Sequence, residues 1–308
     1  MIVDTHHHFA PPTMLAAAIA ERPEIQGYLG GTVATLDDRV RELDLAGVDI
    51  AVLSMPPPGP LLDPGDDLPR YRELISRSND ELLAGATQRP DRFRAFVCLP
   101  LGDPDPAASI AELDRVHDHP LVRGVMAFAN TSGPTLDEQE SVCDAIASAG
   151  LPLQLHPQLG DLSHHPVLDD FTLGGSLGMM LETSTIAARM MLSGLLDRVP
   201  TLTLVIPHLG GVLPYLAQRM SDLSGKGRAL EDSSYYLRER CLLDNCSFHP
   251  PALRCAVDTV TADRIVLGSD YPQRGRLARA VEDIRKSELT ADEQQAILGG
   301  NAVRAGLT

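Results

Sequence analysis

The sequence predicts an α/β protein built as a single-domain (β/α)8 TIM barrel over residues 1–308. Three observations carry that prediction. Short apolar, β-branched runs alternate with longer amphipathic segments about eight times along the chain. Histidines and one aspartate recur just after those runs, where a barrel gathers its strand ends. No glycine-rich phosphate loop follows the first run, which disfavours a doubly wound sheet.

The first nine residues, Met-Ile-Val-Asp-Thr-His-His-His-Phe, read as a buried strand ending in imidazoles. Strand side chains alternate, so His6 and His8 share a face and His7 points the other way. Three adjacent histidines also read as a purification tag, but tags are longer and lie outside apolar strands. A helical stretch over Met14–Glu21 leads into a loop to Gly31, expected over the site. Thr35 caps a helix whose face is Leu36, Val40 and Leu43, ended by Gly47. The second strand is Val48–Leu53. Prolines 56, 57, 58 and 60 force an inserted loop, spanning about 56–70, before a helix from Tyr71 to Gln88.

The third strand is Phe93–Leu99, its helix Ala107–His117; the fourth is Val122–Phe128, its helix Leu136–Ala149. Leu151–Leu155 is the fifth strand and ends in His156. An insertion over 157–178 precedes a helix from Met180 to Leu196. Leu202–Ile206 is the sixth strand, followed by Pro207–His208 and a helix from Val212 past Arg219. Cys241–Asn245 and Ile265–Leu267 complete the strands, with helices over Pro251–Val260, from Leu277, and over Ala291–Leu298.

A formal net charge of −16 disfavours nucleic acid and anionic membranes, so neither is expected as a partner. No apolar run reaches about eighteen residues, and no secretory signal opens the chain, so a cytoplasmic location is expected. The five cysteines lack metal-site spacing and read as reduced core thiols; Cys241, Cys246 and Cys255 are discounted as ligands.

His6, His8, His156, His208 and Asp270 all fall at strand ends. Three imidazoles and a carboxylate suit a borderline divalent metal such as zinc, leaving a fourth histidine to move a proton. Taken singly each has a plainer reading: His156 as a loop residue, His208 as a helix start, Asp270 as an Asx turn. Five such residues at strand ends argue together for a site. The other histidines read mostly as solvated, with His165 and His249 as candidate contacts near the site.

Several segments carry a family resemblance. They are Asp4-Thr-His-His-His-Phe-Ala-Pro11, Gly47-Val-Asp-Ile-Ala-Val-Leu-Ser54, Pro90-Asp-Arg-Phe93 and Leu151-Pro-Leu-Gln-Leu-His-Pro157. Glu182-Thr183 with Ser193-Gly194, Pro207-His-Leu-Gly-Gly211, Leu267-Gly-Ser-Asp-Tyr-Pro272 and Gly300-Asn-Ala302 continue it. Over nearly its whole length the chain resembles the amidohydrolase superfamily, in the branch of aminocarboxymuconate-semialdehyde decarboxylase and related aromatic-acid decarboxylases.

The resemblance implies that His6, His8, His156 and Asp270 hold one metal ion, zinc or alternatively manganese, with no organic cofactor. It implies that His208, working with Asp270, is catalytic. Arg219 matches an arginine that binds the substrate carboxylate, in some members across the interface of a homodimer; its plainer reading is a solvated helix residue. The absence of lysine near Val125–Phe128 favours one metal over two. The expected reaction is non-oxidative decarboxylation of a small aromatic or unsaturated acid. A hydrolase or hydratase on the same site is the alternative, and a metal-bearing binding protein a third reading. Gln273 in place of an aromatic, Leu209 in place of a glycine, and the lack of an arginine between Gly27 and Leu36 depart from the family and bear on the substrate.

Overall fold

The computed structural model describes residues 1–308 apart from 22, 24–34, 58, 60–64, 66, 130–132, 159–164 and 274–276. The described residues form one eight-stranded parallel sheet in the order β1 to β8. Its strands are β1 Val3–His8, β2 Ile50–Ser54, β3 Phe93–Cys98, β4 Val122–Phe128, β5 Leu153–His156, β6 Leu204–Ile206, β7 Cys241–Asp244 and β8 Ile265–Val266. Helices follow the strands, which is the (β/α)8 barrel expected from the alternation.

Most strands are buried on both faces and so read as continuous apolar runs instead of alternating ones, whereas β1 is equally buried but carries polar residues from Asp4 to His8. Ile50–Ser54 is buried at all five positions, and Val3–His8 at all six. Local chemistry fixes the helix ends. Thr35 and Asp38 form a reciprocal capping box on Leu36–Ala46, and Gly47 closes that helix at φ 69°. Backbone bonds carry the chain beyond β8 back to β1. Thr5 N donates to Leu267 O at 2.8 Å, Asp270 N to His6 O at 2.9 Å, and His8 N to Tyr271 O at 2.7 Å.

Several boundaries differ from expectation. Asp67 caps Arg70 N, so the helix after the proline-rich loop starts at Leu68 instead of Tyr71. The single helix expected over 136–149 is a 3-10 turn, Leu136–Glu138, then Glu140–Ser148. That expected over 180–196 runs Met179–Leu192 and restarts at Leu195, because Gly194 takes φ 76° between them. The 157–178 insertion contains short helical turns at Pro166–Leu168, Asp170–Thr172 and Gly174–Gly178. A helix at Ser233–Glu239, opened by Asp232 on Tyr235 N, was not expected. The loop expected to cover the site up to Gly31 lies outside the described residues over 24–31.

Candidate metal centre

Strand alternation places the first histidines as expected. His6 and His8 converge, while His7 turns away, donates from Nδ1 to Asp4 at 2.9 Å and stacks on Tyr271 at 4.9 Å between ring centroids. His7 is wholly buried, so the solvated reading fails for it: the back of β1 is covered as fully as the front. His156 closes β5 and Asp270 follows β8, both buried.

The three imidazoles meet at their Nε2 atoms, 3.2 Å between His6 and His8 and 3.1 Å from His156 to each. Asp270 Oδ1 lies 3.1 Å from His8 Nε2 and 3.6 Å from His6 Nε2. Each opposite Nδ1 has a partner. His6 Nδ1 donates to Asp244 Oδ2 at 2.7 Å and His156 Nδ1 to Pro157 O at 2.6 Å; His8 Nδ1 lies 3.3 Å from Ser54 Oγ. With Nδ1 committed as a donor on His6 and His156, Nε2 is the atom each ring has left to offer a cation, and these atoms face one another. Such convergence is unfavourable without a cation in their midst, and it suits four-coordinate binding of a divalent ion. His6, His8, His156 and Asp270 therefore form a group fit to hold a single divalent ion.

Electrostatics follow the packing. Burial lowers the pKa of His8, and that of His156 well below its ordinary value, with neighbouring imidazoles adding to the shift at His156. For His6 burial works the same way but is outweighed by Asp244, which raises it to about 9. Asp270 goes well below the usual carboxylate range. Its burial opposes this, and His208 and His8 prevail.

His208 follows β6 in a turn whose residues 208–211 all have positive φ, at 56°, 54°, 76° and 63°. Its Nε2 lies 3.7 Å from Asp270 Oδ2, and its ring 5.4 Å from that of His6. Sequence reasoning misses Asp244, although it closes the apolar run of β7 as the other site residues close theirs. It accepts from His6 Nδ1, from His208 N at 2.8 Å and from Cys246 N at 3.0 Å. Burial works against ionisation of Asp244, yet His6 holds its pKa below the ordinary value. Cys246, discounted on spacing, is brought by the β7 end into a group with His6 and His208 whose ligand atoms lie within 4.8 Å of one another. Ser54, which closes β2, is missed as well.

Arg219 is exposed on the helix Leu213–Ser224, and the structure does not bring it into the buried cluster. His165 and His249 are exposed as well; His165 caps the turn at Pro166 through Val167 N. Gln273 is partly buried just past Asp270, and its N–H donates to Asp270 O at 2.8 Å. The end of β4, where a bridging lysine would sit, carries Phe128, its ring 6.0 Å from His156.

The family model described as Amidohydrolase matches residues 3–305. Gamma-resorcylate decarboxylase of Rhizobium sp. (strain MTP-10005) is 28% identical over 295 residues, covering 88% of this chain and 87% of that protein. 2-Amino-3-carboxymuconate-6-semialdehyde decarboxylase of Dictyostelium discoideum is 26% identical over 281 residues, covering 87% and 75%. Among solved structures, a dihydroxybenzoic acid decarboxylase from Polaromonas sp. JS666, with bound manganese and the inhibitor 2-nitroresorcinol, superposes with a TM-score of 0.87 at 25% identity. It covers 99% of this chain and 96% of that one.

Proposed function

The chain belongs to the amidohydrolase family, and from that premise we propose that it is a metal-dependent decarboxylase of a small aromatic carboxylic acid. The observation that carries this reading is the meeting of three Nε2 atoms within 3.2 Å beside a carboxylate, with a fourth histidine at the rim. The decarboxylases it resembles favour this chemistry over the hydrolase or hydratase alternative.

In this reading His6, His8, His156 and Asp270 hold the ion. When bound, such an ion supplies Lewis-acid charge that orients and polarises an oxygen-bearing substrate. His208 delivers a proton to the ring carbon that bears the carboxylate. The carbon–carbon bond then breaks, its electron pair stays with the ring, and carbon dioxide leaves. No oxidant and no organic cofactor enter that balance. Asp270, 3.7 Å from His208, holds the imidazole toward the reacting carbon. Arg219, being exposed, serves the substrate carboxylate by reaching into a neighbouring subunit of a homodimer. Three imidazoles suit zinc, and manganese is bound in the Polaromonas relative. The five free cysteines suit a cytoplasmic setting.

Metal analysis of the purified protein, paired with a carbon dioxide assay over hydroxybenzoates and muconate-type acids, tests this. About one ion per chain with carbon dioxide released is expected. His208→Asn should lower turnover at least 10³-fold, roughly the upper range for general acid–base catalysis, with metal content unchanged. Metal without carbon dioxide from any acid, or an active His208→Asn variant, would overturn the reading.

A further inference from the structure

We propose that Asp244 is a positioning residue that sets two parts of the site at once: the tautomer of His6 and the strained turn that presents His208. The proposal rests on the roles given above to those two histidines.

Asp244 is fully buried at the end of β7, and its two oxygens serve different elements. Oδ2 accepts from His6 Nδ1 of β1, and Oδ1 accepts from His208 N after β6. Both partners are donors. A carboxylate presents an acceptor on both sides, Oδ2 to His6 and Oδ1 to the backbone N–H groups of His208 and Cys246; a carboxamide, with one oxygen and one NH2, presents an acceptor on only one side. In Asp244→Asn, if the new NH2 faced His6, Nδ1 would have to accept, moving the ring proton to Nε2 and removing the lone pair that converges on His8 and His156. If it faced His208, two N–H donors would collide at the head of the turn. That turn needs its anchor, because His208 and Leu209 both take left-handed φ, which costs non-glycine residues about 1–2 kcal/mol each.

A second feature of the fold protects the same pair. At Gly268 an added Cβ would lie 2.8 Å from Asp244 Cβ and 2.9 Å from both Asp244 Cγ and His6 Cβ. The glycine leaves room for carboxylate and imidazole to press together beneath the seam between β8 and β1.

The test uses the zinc-loaded protein. Asp244→Asn should bind zinc about 10- to 100-fold more weakly in chelator competition while keeping its far-UV circular dichroism. At saturating zinc, kcat should stay depressed with KM little changed, because the turn bearing His208 is released. Gly268→Ala should weaken zinc binding in the same direction. In 15N-histidine spectra of the wild-type zinc form, His6 should carry its proton on Nδ1, a readout that needs no variant to fold. Wild-type zinc affinity in folded Asp244→Asn, or an Nδ1 without a proton in the wild type, would overturn the proposal. Zinc affinity and tautomer are measured without substrate, so a failed carbon dioxide assay would count against the proposed reaction alone.

Discussion

Arg39 shows what one side chain contributes to the site from behind it. Its guanidinium is buried and donates from Nε and Nη2 to His8 O, at 3.1 and 2.6 Å. The rings of Phe9 and Tyr271 flank it at 5.5 and 6.0 Å. Burial lowers its pKa to about 10, which still leaves it charged at neutral pH. Arg39→Met keeps bulk but leaves the His8 carbonyl without these donors. It should cost roughly 1–3 kcal/mol in urea unfolding, and an unchanged midpoint would show that the carbonyl finds other partners. At this scale the sequence is legible where type and place agree: His6, His8, His156, His208 and Asp270 each end an apolar run. Arg39 hides among the charges of its helix, though it sits at helical spacing from Leu36 and Leu43. Asp244 hides because a lone carboxylate at a strand end reads as a cap until its partners are known.

The turn at 208–211 is the element on which the proposed chemistry depends. Ser184 holds it from the neighbouring helix, its hydroxyl donating to Met180 O at 2.6 Å and accepting from Val212 N at 3.0 Å. Gly211 combines φ 63° with no room for a side chain: an added Cβ would lie 2.8 Å from Met180 O and would also strike Ser184 Oγ. Gly211→Ala should therefore destabilise the fold by more than the roughly 1 kcal/mol of the left-handed penalty alone, and lower kcat. Urea midpoints and turnover, measured side by side, check this; a variant as stable and active as the parent would refute it. Regular strands and long helices were readable because their apolar periods are strong. The insertion over 157–178 was readable only as an interruption. Its short turns arise from local hydrogen bonds, such as Val167 N on His165, that leave no period in the sequence.

Across the whole molecule the buried site sets a pH dependence for the metal-free protein. His7, His8 and His156 have lowered pKa values, so the unfolded chain takes up more protons than the folded one as pH falls below about 6.5. Stability should decline in that direction. His6 is raised to about 9; its contribution is complete below 6.5 and is lost as pH rises through about 9. Asp244 and Asp270, both lowered, contribute above the ordinary 3.8 and lose that contribution in stronger acid. Denaturant midpoints of chelator-treated protein at pH 5.5, 7 and 9.5 should peak at the middle value, and a flat profile would contradict the assignment. The barrel itself was legible from the alternation of strands and helices. Its closure was not, because β8 is only two residues long and the seam is made by backbone bonds that carry no side-chain signature. That seam bears on how the protein is made. Asp4 and Ser269, bonded across it through the serine hydroxyl at 2.6 Å, stand 265 positions apart, and three of the four groups fit to hold an ion, His6, His8 and Asp270, straddle the same join. On the ribosome the strand carrying His6 and His8 emerges well before Asp270. A nascent chain that stops short of residue 270 has no complete set of these four groups to offer, so the cluster fit to hold an ion forms only once the segment after β8 has been made.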